Sequence, residues 1–271
     1  MNVPVFHRRF WRFPRFRRLL PFAAALLAVL VSACTSPAPV PRPSLLSLRV
    51  GFTPNYPPIC MTDNGRPVGL EADLAEALAK ELGCPLEIIP FEFDQLFPAL
   101  LDGRVDILMA GLTVTPSREL KVKFCSPYLR NPLVAVTRAG KAHAYASAAA
   151  VLAAPTSVGV IRQTSAEIFV RRHCAHARVV PITFHRDVAQ NLSTGRFTLY
   201  VDDLSSILDL VATHPEVLEV IPYPLHPQDI AWAVRPDNKA LLAAANAAIA
   251  KWKADGRLDA MLDRWLPGRF W

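Results

Sequence analysis

From residue 46 onward, short runs of aliphatic and β-branched residues alternate with longer segments of helical periodicity, and this alternation limits the fold more than any other feature. Residues 46–52 have the composition of a strand. Residues 70–82 place leucines four positions apart and are followed by Gly83, which suits the end of a helix. Because alternating strands and helices are typical of a sheet covered by helices, the sequence predicts an α/β fold.

The alternation falls into two sets, which predicts two α/β lobes. Between them, the alanine-rich residues 142–154 fit either a helix or a loose surface segment. After the second set a strand pattern returns, and a long helix follows with Asp237 as its predicted N-cap. The predicted strands are residues 46–52, 86–89, 105–109, 133–136, 158–161, 179–182, 197–201, 217–221 and 230–234, and the predicted helices are residues 70–82, 96–101, 165–173, 187–192, 204–211, 237–256 and 258–266.

Composition excludes several classes of protein. Of the 271 residues, 52% are hydrophobic and 20% are charged, so the chain is neither disordered nor collagen-like. The formal net charge of +7 is misleading, because six arginines precede position 34 in a stretch without acidic residues. The other 24 Lys and Arg residues face 23 Asp and Glu residues. We therefore expect no nucleic-acid partner.

The N-terminal residues have the pattern of an export signal. The arginine-rich start is followed by an apolar run over residues 19–31, which is shorter than the roughly 20 residues that a membrane-spanning helix needs. Residues 1–33 are therefore predicted to be a signal peptide. The run Val31-Ser32-Ala33-Cys34 resembles the lipobox of bacterial lipoproteins, which implies cleavage before Cys34 and a lipid anchor on its thiol. An ordinary cysteine beside an ordinary cleavage site is the alternative.

Residues 34–45 follow as a proline-rich tether that holds the folded part near a membrane. The predicted location is accordingly the periplasm or the cell surface. Four further cysteines lie at positions 60, 84, 125 and 174, with spacings that match no zinc or CxxC motif, so no metal and no cofactor are expected. Three disulfide pairings and buried free thiols all remain open for Cys60, Cys84, Cys125 and Cys174.

Several short motifs occur in an order that matches one family. They are Leu48–Gly51, Tyr56–Pro58, Val68–Ala75, Asp94–Leu100, Asp102–Asp106, Ala110–Arg118 and Phe124–Tyr128. From about Leu46 to Trp265 the chain resembles the extracellular solute-binding proteins of polar amino-acid uptake systems, the family 3 binding proteins.

The resemblance implies a two-lobe periplasmic-binding-protein fold of type II. Residues 46–136 plus 226–271 would form the first lobe and residues 137–225 the second, joined by two hinge crossings. A ligand in the cleft would close the two lobes. The permease of an ABC importer would then accept the closed form, and we expect the protein to act as a monomer.

A zwitterionic amino acid requires a cation and an anion facing each other across the cleft. Arg118 stands where the family's carboxylate-binding arginine stands, and its planar fork can grip both oxygens. Asp203 stands at a strand end where the family binds the ammonium group. The alternatives are a solvated arginine and a helix N-cap, and the neighbouring Asp202 leaves the register of the aspartate open.

The resemblance also assigns roles to other cleft positions. The aromatic walls would be Tyr56 and Phe93, which are also compatible with core packing. Thr113 would add a hydroxyl, and Ala110 and Gly111 would place their backbone against the ligand. Thr164 and Ser165 would direct the amides of a helix start at the ligand carboxylate.

Three departures from the family pattern bear on the ligand. Thr53 replaces an aspartate that several relatives with cationic or amide ligands carry. Arg162 and Gln163 stand where the second position is usually glycine, and Ile59 replaces a usual phenylalanine. We expect a neutral polar or acidic amino acid rather than a basic one.

Two other functions use the same fold. Periplasmic cyclohexadienyl dehydratases employ a glutamate at the start of the second lobe's first helix, where Glu167 stands here. A charge in the first turn of a helix is the structural alternative for Glu167. An orphan ligand sensor is the second possibility. We expect a binding protein without catalysis.

Overall fold

Two five-stranded sheets, each flanked by helices, organise the chain. The computed structural model describes residues 46–266, so the predicted signal peptide, the tether and Cys34 lie outside the described residues. The first sheet has the order β5-β1-β6-β15-β7. Its strands are β1 (Leu48–Phe52), β5 (Leu86–Pro90), β6 (Ile107–Leu108), β7 (Lys123–Phe124) and β15 (Ala233–Val234).

Helices and small strand pairs complete this first lobe. The helices are α1 (Leu70–Leu82), α2 (Leu96–Leu101), α3 (Pro116–Glu119), α8 (Lys239–Ala254) and α9 (Arg257–Trp265). A three-stranded sheet is made by β2 (Asn55–Tyr56), β3 (Cys60–Asp63) and β4 (Arg66–Val68), and β8 (Leu129–Arg130) pairs with β14 (Asp229–Ile230). Because β15 lies between β6 and β7, the C-terminal segment returns to the first lobe.

The second sheet repeats the design in the order β11-β10-β12-β9-β13. Its strands are β9 (Leu133–Arg138), β10 (Ser157–Ile161), β11 (Arg178–Ile182), β12 (Leu199–Asp203) and β13 (Leu218–His226). Its helices are α4 (Ala148–Ala153), α5 (Ser165–His173), α6 (Val188–Ser193) and α7 (Leu204–Thr213). In both sheets the first three strands of the order are parallel and the remaining neighbours antiparallel.

The pattern of burial follows from the sequence. On α1, Leu70, Leu74 and Leu78 are fully buried against the first sheet, as expected for residues that share one face of a helix. The helix ends at Gly83, whose φ of 71° is the left-handed conformation that glycine adopts without steric cost. The α/β class, the two lobes and the bounds of this helix are therefore confirmed.

Some predicted boundaries are wrong. The first lobe was expected to extend to residue 136, but β9 pairs with β12 and β13, so the first crossing between lobes lies before Leu133. The strand predicted over residues 230–234 is two short strands that pair with different partners. Asn238, not Asp237, caps the long helix, because its side chain accepts the Leu241 N–H at 3.2 Å.

The described residues can also be searched for membrane-spanning helices, disulfides and metal sites. Within residues 46–266 no helix has both the length and the apolar character needed to cross a bilayer. Cys60, Cys84, Cys125 and Cys174 all carry free thiols, so the structure contains none of the three possible pairings. Across the same residues, no group of three His, Cys, Asp or Glu side chains is placed to hold a metal ion.

Candidate functional site

A cavity between the two lobes collects eight of the nine predicted ligand-binding residues. From the first lobe these are Tyr56, Phe93, Gly111, Thr113 and Arg118, and from the second lobe they are Thr164, Ser165 and Asp203. Ala110 is the exception, since it is buried in the core of the first lobe and does not line the cavity. Residues that are 147 positions apart, such as Tyr56 and Asp203, therefore meet at one place.

Arg118 is held in place by its own loop. Its Nη1 donates to the Thr113 carbonyl oxygen at 2.8 Å, and its guanidinium lies 5.5 Å and 5.3 Å from the ring centres of Phe93 and Phe97. Burial lowers the pKa of Arg118 to about 10, although the charge of Asp203 opposes this shift. Among the described residues, no carboxylate lies within ion-pair distance of Arg118. The arginine is thus an oriented cation whose charge is available to a ligand.

Asp203 ends β12 and projects into the same cavity. The Tyr56 hydroxyl donates to its Oδ2, whereas Oδ1 is buried and has no hydrogen-bond partner in the structure. Burial raises the pKa of Asp203 to about 8, and the charge of Asp202 adds to this, while the Tyr56 hydrogen bond and Arg118 oppose it. Asp203 occupies the N-cap position of α7 but makes no side-chain capping bond. Asp203 therefore stands where the helix-capping alternative places it, but its carboxylate does not make the hydrogen bond that such a cap supplies.

Asp202, although it also borders the cavity, is fully engaged by its neighbours. Its Oδ1 accepts the Asp203 N–H at 2.9 Å, and its Oδ2 accepts the Tyr200 hydroxyl and, at 3.4 Å, the Ser206 hydroxyl. His185 lies 3.9 Å from the same Oδ2. Each oxygen of Asp202 thus has a donor, whereas Asp203 Oδ1 has none among the described residues. This difference favours Asp203 of the two aspartates as the residue that faces a ligand.

A third buried acid, which the sequence analysis did not single out, supports the wall of the cavity. Glu71 accepts hydrogen bonds from the Gly111 N–H at 2.7 Å, the Tyr128 hydroxyl at 2.7 Å and the Trp232 Nε1–H at 2.9 Å. Gly111 has a φ of 62°, and a Cβ there would lie 2.5 Å from the Tyr56 ring. Only glycine fits between Tyr56 and the loop that Glu71 anchors.

Asn131, at the first crossing between lobes, was also missed. Its Oδ1 accepts the Ser205 N–H at 3.0 Å, and its Nδ2 donates to the Ser205 hydroxyl at 2.7 Å and to the Tyr56 hydroxyl at 3.4 Å. The crossing is thereby joined to the pair formed by Tyr56 and Asp203. No motif in the sequence marks this role, because it depends on contacts 74 and 75 residues away.

The start of α5 contributes the far wall. Thr164 caps this helix, since its Oγ1 accepts the Glu167 N–H at 3.3 Å and donates to the Ile161 carbonyl at 2.8 Å. Ser165 donates to Gln228 Oε1 at 2.9 Å and lies 3.1 Å from Thr113 Oγ1. Because the Ser165 proton is directed to Gln228, Thr113 is the donor in the second bond. This bond joins the two lobes beside the cavity.

Glu167 does not line this cavity. Its carboxylate pairs with Arg171 at 2.8 Å and accepts the Gln163 N–H at 2.7 Å. Burial alone would raise the pKa of Glu167, but the Gln163 N–H and Arg171 together lower it. Gln163 has a φ of 63°, the conformation for which a glycine is the usual residue. Glu167 thus stabilises a strained turn at the helix start.

The positions that depart from the family pattern differ in their access to the cavity. Thr53 is buried and lines it, whereas Ile59 is buried and does not. Thr53 therefore faces a ligand directly, and the exchange at Ile59 acts only through packing. The remaining lining residues were not predicted; they are Asn55, Glu92, Ile161, Thr183, His185 and Asp202.

Comparison with known proteins gives the family. The model of the bacterial extracellular solute-binding proteins, family 3, matches residues 48–268. The chain belongs to this family. Proteins of family 3 are extracellular, as their description states.

Three relatives show how functions vary within such proteins. The chain is 27% identical to ABC transporter arginine-binding protein 1 of Escherichia coli over 225 residues, which covers 81% of this chain and 90% of the relative. It is 29% identical to the L-cystine-binding protein TcyJ of the same species, covering 81% and 82%. It is also 26% identical to the cyclohexadienyl dehydratase of Pseudomonas aeruginosa, covering 95% and 97%.

Solved structures agree with the fold. An ancestral arginine-binding protein bound to arginine is 30% identical and superposes with a TM-score of 0.75, covering 82% of this chain and 99% of that protein. Family 3 membership and the two-lobe α/β fold are therefore consistent with each other. The chain is a solute-binding protein of an amino-acid transport family, and its own ligand is a separate question.

Proposed function

We propose that this family 3 protein captures an amino acid in the cleft between its lobes, with Arg118 binding the carboxylate and Asp203 the ammonium group. One observation carries the proposal: within residues 46–266, Arg118 has no carboxylate partner and the buried Asp203 Oδ1 has no donor, and the two residues line the same cavity from opposite lobes. Uncompensated buried polar groups are costly, so a ligand that satisfies both stabilises the closed form.

The neighbours of these two residues complete the site. Thr113 and the first amides of α5 border the cavity near Arg118, and amides at a helix start favour a carboxylate. Tyr56 and Phe93 supply aromatic walls. Closure removes water from the charged groups, which strengthens each electrostatic contact. The ligand would therefore hold the two lobes together.

We further propose a neutral polar or acidic ligand. Thr53 brings a hydroxyl, not a carboxylate, to the cavity wall, and both oxygens of Asp202 already accept hydrogen bonds from the protein, which weakens their attraction for a ligand cation. Glu92 lines the cavity as well but is largely exposed to solvent, where its charge is screened. That one relative binds L-cystine, whose ammonium and carboxylate charges sum to zero, agrees with a ligand that has no net positive charge. Arginine, which another relative binds, is the ligand that would overturn this point.

Delivery to an ABC permease is proposed from the family, whose relatives include binding proteins of ABC transporters. Anchoring by a lipid on Cys34 and a monomeric state are proposed from the sequence alone. Mass spectrometry of the membrane fraction would detect a diacylated Cys34, and Cys34→Ala would release the protein from the membrane. An unmodified, soluble mature chain would contradict the anchor.

The test of the function is a thermal-shift screen against the amino acids. A ligand at a hundred times its dissociation constant adds roughly 2.7 kcal/mol, which raises the unfolding midpoint by roughly 5 to 10 °C. Arg118→Ala and Asp203→Asn should abolish the shift. Arg162→Ala, an exposed arginine of the second lobe that does not line the cavity, is the matched control. A shift that survives both site variants would reject the proposed site.

The enzymatic alternative is tested in the same screen, because one relative is a cyclohexadienyl dehydratase. We propose binding without catalysis, since Glu167 is engaged by Arg171 and the Gln163 N–H and does not line the cavity. Prephenate and arogenate are added, and their turnover is followed by absorbance. Turnover that is lost in Glu167→Gln would replace the binding role with a dehydratase.

A further inference from the structure

A second cavity lies beside the amino-acid site, on the other side of the bond between Thr113 and Ser165. It has a volume of about 540 Å³ and shares only these two residues with the first cavity. One wall is the first-lobe segment of residues 113–117, and the opposite wall is α5. Gln228, in the second crossing between lobes, closes the cavity toward the hinge. The second cavity is therefore bounded by both lobes and by the hinge.

Helix α5 presents one continuous stripe to this cavity. Ser165, Ile168, Phe169 and Arg172 are spaced as residues on one face of a helix, and all four line the cavity. Phe169 stacks on two imidazoles, those of His173 at 4.6 Å and His226 at 5.3 Å between ring centres. The stack fixes the two histidines at the wall next to Arg172.

The polar groups of the second cavity are mainly hydrogen-bond donors. Arg172 carries a fixed positive charge, and the imidazoles of His173 and His226 can each donate an N–H. Asp229 is the one carboxylate among the residues that line it, and it lies 3.5 Å from the guanidinium of Arg130. Because Asp229 pairs with Arg130, which lies outside the cavity lining, the charge of Arg172 is the one in the lining without a counter-charge there, and it favours a negatively charged ligand.

Gln228 provides an independent sign of a missing ligand. The side chain is 5% exposed, and its Oε1 accepts the Ser165 hydroxyl at 2.9 Å. Its Nε2 is buried and has no hydrogen-bond partner in the structure. A buried amide donor without an acceptor lowers stability, because it has lost its bond to water and gained none in the protein. An acceptor in the second cavity would remove that cost.

We propose that the second cavity binds a small oxyanion, a carboxylate or a phosphate, between Arg172 and the Gln228 amide. Because its walls belong to opposite lobes, a bound anion stabilises the closed cleft. The amino acid and the anion therefore bind cooperatively. Arg172 and Gln228, the two residues that would hold the anion, do not line the amino-acid cavity.

The test follows the imidazole signals of His173 and His226 by NMR while inorganic phosphate or succinate is added to the purified protein. Sodium chloride at equal ionic strength is the reference for screening effects. We expect saturable shifts with phosphate, succinate or both, and the two probes distinguish an inorganic from an organic anion. If neither anion shifts the signals beyond the chloride reference, the proposal is overturned.

Two variants locate the anion. Arg172→Gln removes the charge, and Gln228→Glu replaces the amide donor by an acceptor of the same shape. Each should weaken the anion at least tenfold, while the exposed Arg162→Gln control should leave it unchanged. Thermal unfolding of each variant confirms that it is folded. If Arg172→Gln and Gln228→Glu both bound the anion as tightly as the unaltered protein does, the proposed site would be rejected.

Cooperativity is measured separately, by calorimetric titration of the amino acid found in the ligand screen. We expect about fivefold tighter amino-acid binding in the presence of saturating anion, and no such gain in Arg172→Gln. Without anion, Arg172→Gln should bind the amino acid as the unaltered protein does, so a failure of the second cavity is distinguishable from a failure of the amino-acid site. If the anion bound saturably but did not tighten amino-acid binding, the proposed position of the anion between the two lobes would be contradicted.

Discussion

Each lobe buries a carboxylate with a prominent place beside the cleft, Glu71 in the first lobe and Asp203 in the second, and these two carboxylates differ in how their hydrogen bonds are satisfied. Glu71 of the first lobe accepts three hydrogen bonds, from Gly111, Tyr128 and Trp232. Asp203 of the second lobe accepts one, from Tyr56, and keeps an oxygen without a donor. The difference accounts for the two roles that we propose, a structural role for Glu71 and ligand binding for Asp203.

Burial alone does not separate the two roles. It raises the pKa of Glu71 to about 7 and that of Asp203 to about 8, although three donors oppose the shift at Glu71. Both acids are therefore held in an environment that disfavours their charge. The difference lies in the hydrogen bonds, and it can be tested by removing the acids one at a time.

The first prediction concerns the structural acid. Glu71→Ala leaves the Gly111 N–H, the Tyr128 hydroxyl and the Trp232 N–H without their acceptor, so we expect a loss of about 3–5 kcal/mol in the free energy of unfolding. Urea denaturation measures this loss. Glu76→Ala, at an exposed position of the same helix, should change stability by less than about 0.5 kcal/mol. A loss below about 1 kcal/mol at Glu71 would contradict its structural role.

The second prediction contrasts the adjacent aspartates. Asp203→Asn should weaken amino-acid binding by about 2–4 kcal/mol, or about 30- to 1,000-fold, because the ligand ammonium loses its charged partner. Asp202→Asn should cost stability instead, about 1–3 kcal/mol, since it disturbs the bonds to Tyr200 and Ser206. Calorimetric titration and urea denaturation give the two quantities. Equal losses of affinity would show that the open oxygen is not decisive.

The third prediction is a pH dependence with a defined sign. Since burial raises the pKa of Asp203 to about 8, the acid binds a proton below that pH and must release it to pair with an ammonium group. Amino-acid affinity should therefore fall by up to about tenfold for each pH unit below 8. Asp203→Asn should remove this dependence. A flat profile in the unaltered protein would contradict the raised pKa.

The same linkage applies to stability without ligand. The folded-state pKa values of Glu71 and Asp203, about 7 and about 8, lie above those of an unfolded chain. At a pH between the unfolded and the folded pKa values, the folded state therefore binds more protons than the unfolded state. The free energy of unfolding should decrease as pH rises from about 4 toward 8, and saturating ligand should reduce the part due to Asp203. Urea titrations at several pH values, with and without ligand, measure both slopes. A rise over this range would contradict the assignment.

The smallest effect involves a third carboxylate, Glu167, which like Glu71 is engaged by other groups. It stabilises Gln163 in a left-handed conformation with a φ of 63°. Gln163→Gly should raise stability by about 0.5–1 kcal/mol, because glycine adopts this conformation without the steric cost. Arg162→Gly, at a position without positive φ, should instead lower stability by a similar amount. Stabilisation by both exchanges would indicate another cause.

Much of the fold was predictable because its signals are local. The leucine spacing of α1 and the start of α5 at Ser165 are written in consecutive residues, and their bounds are as predicted. Strands of two to four residues, such as β2 and β3, show no measurable period and were missed. The β9 boundary was misplaced, since only its pairing with β12 and β13 assigns it to the second lobe.

For the candidate site, the sequence predicted which residues line the cavity but not the hydrogen bonds that those residues make. Arg118 and Asp203 follow from motifs, and the structure brings them to one cavity. The open oxygen of Asp203 and the saturation of Asp202 depend on Tyr56 and Tyr200, which no spacing rule connects to them. Glu71 reaches Trp232 over 161 residues. Such long-range contacts decide which charged residue is structural and which binds a ligand, and sequence periodicity does not contain them.

The most direct test of the central claim pairs one ligand change with one protein change. The amino acid found in the screen and its analogue without the ammonium group are titrated into the unaltered protein and into Asp203→Asn. We predict that the unaltered protein prefers the amino acid by at least about 100-fold, and that Asp203→Asn loses most of this preference. If the variant kept the full preference, Asp203 would not be the ammonium partner and the account of the site would be wrong.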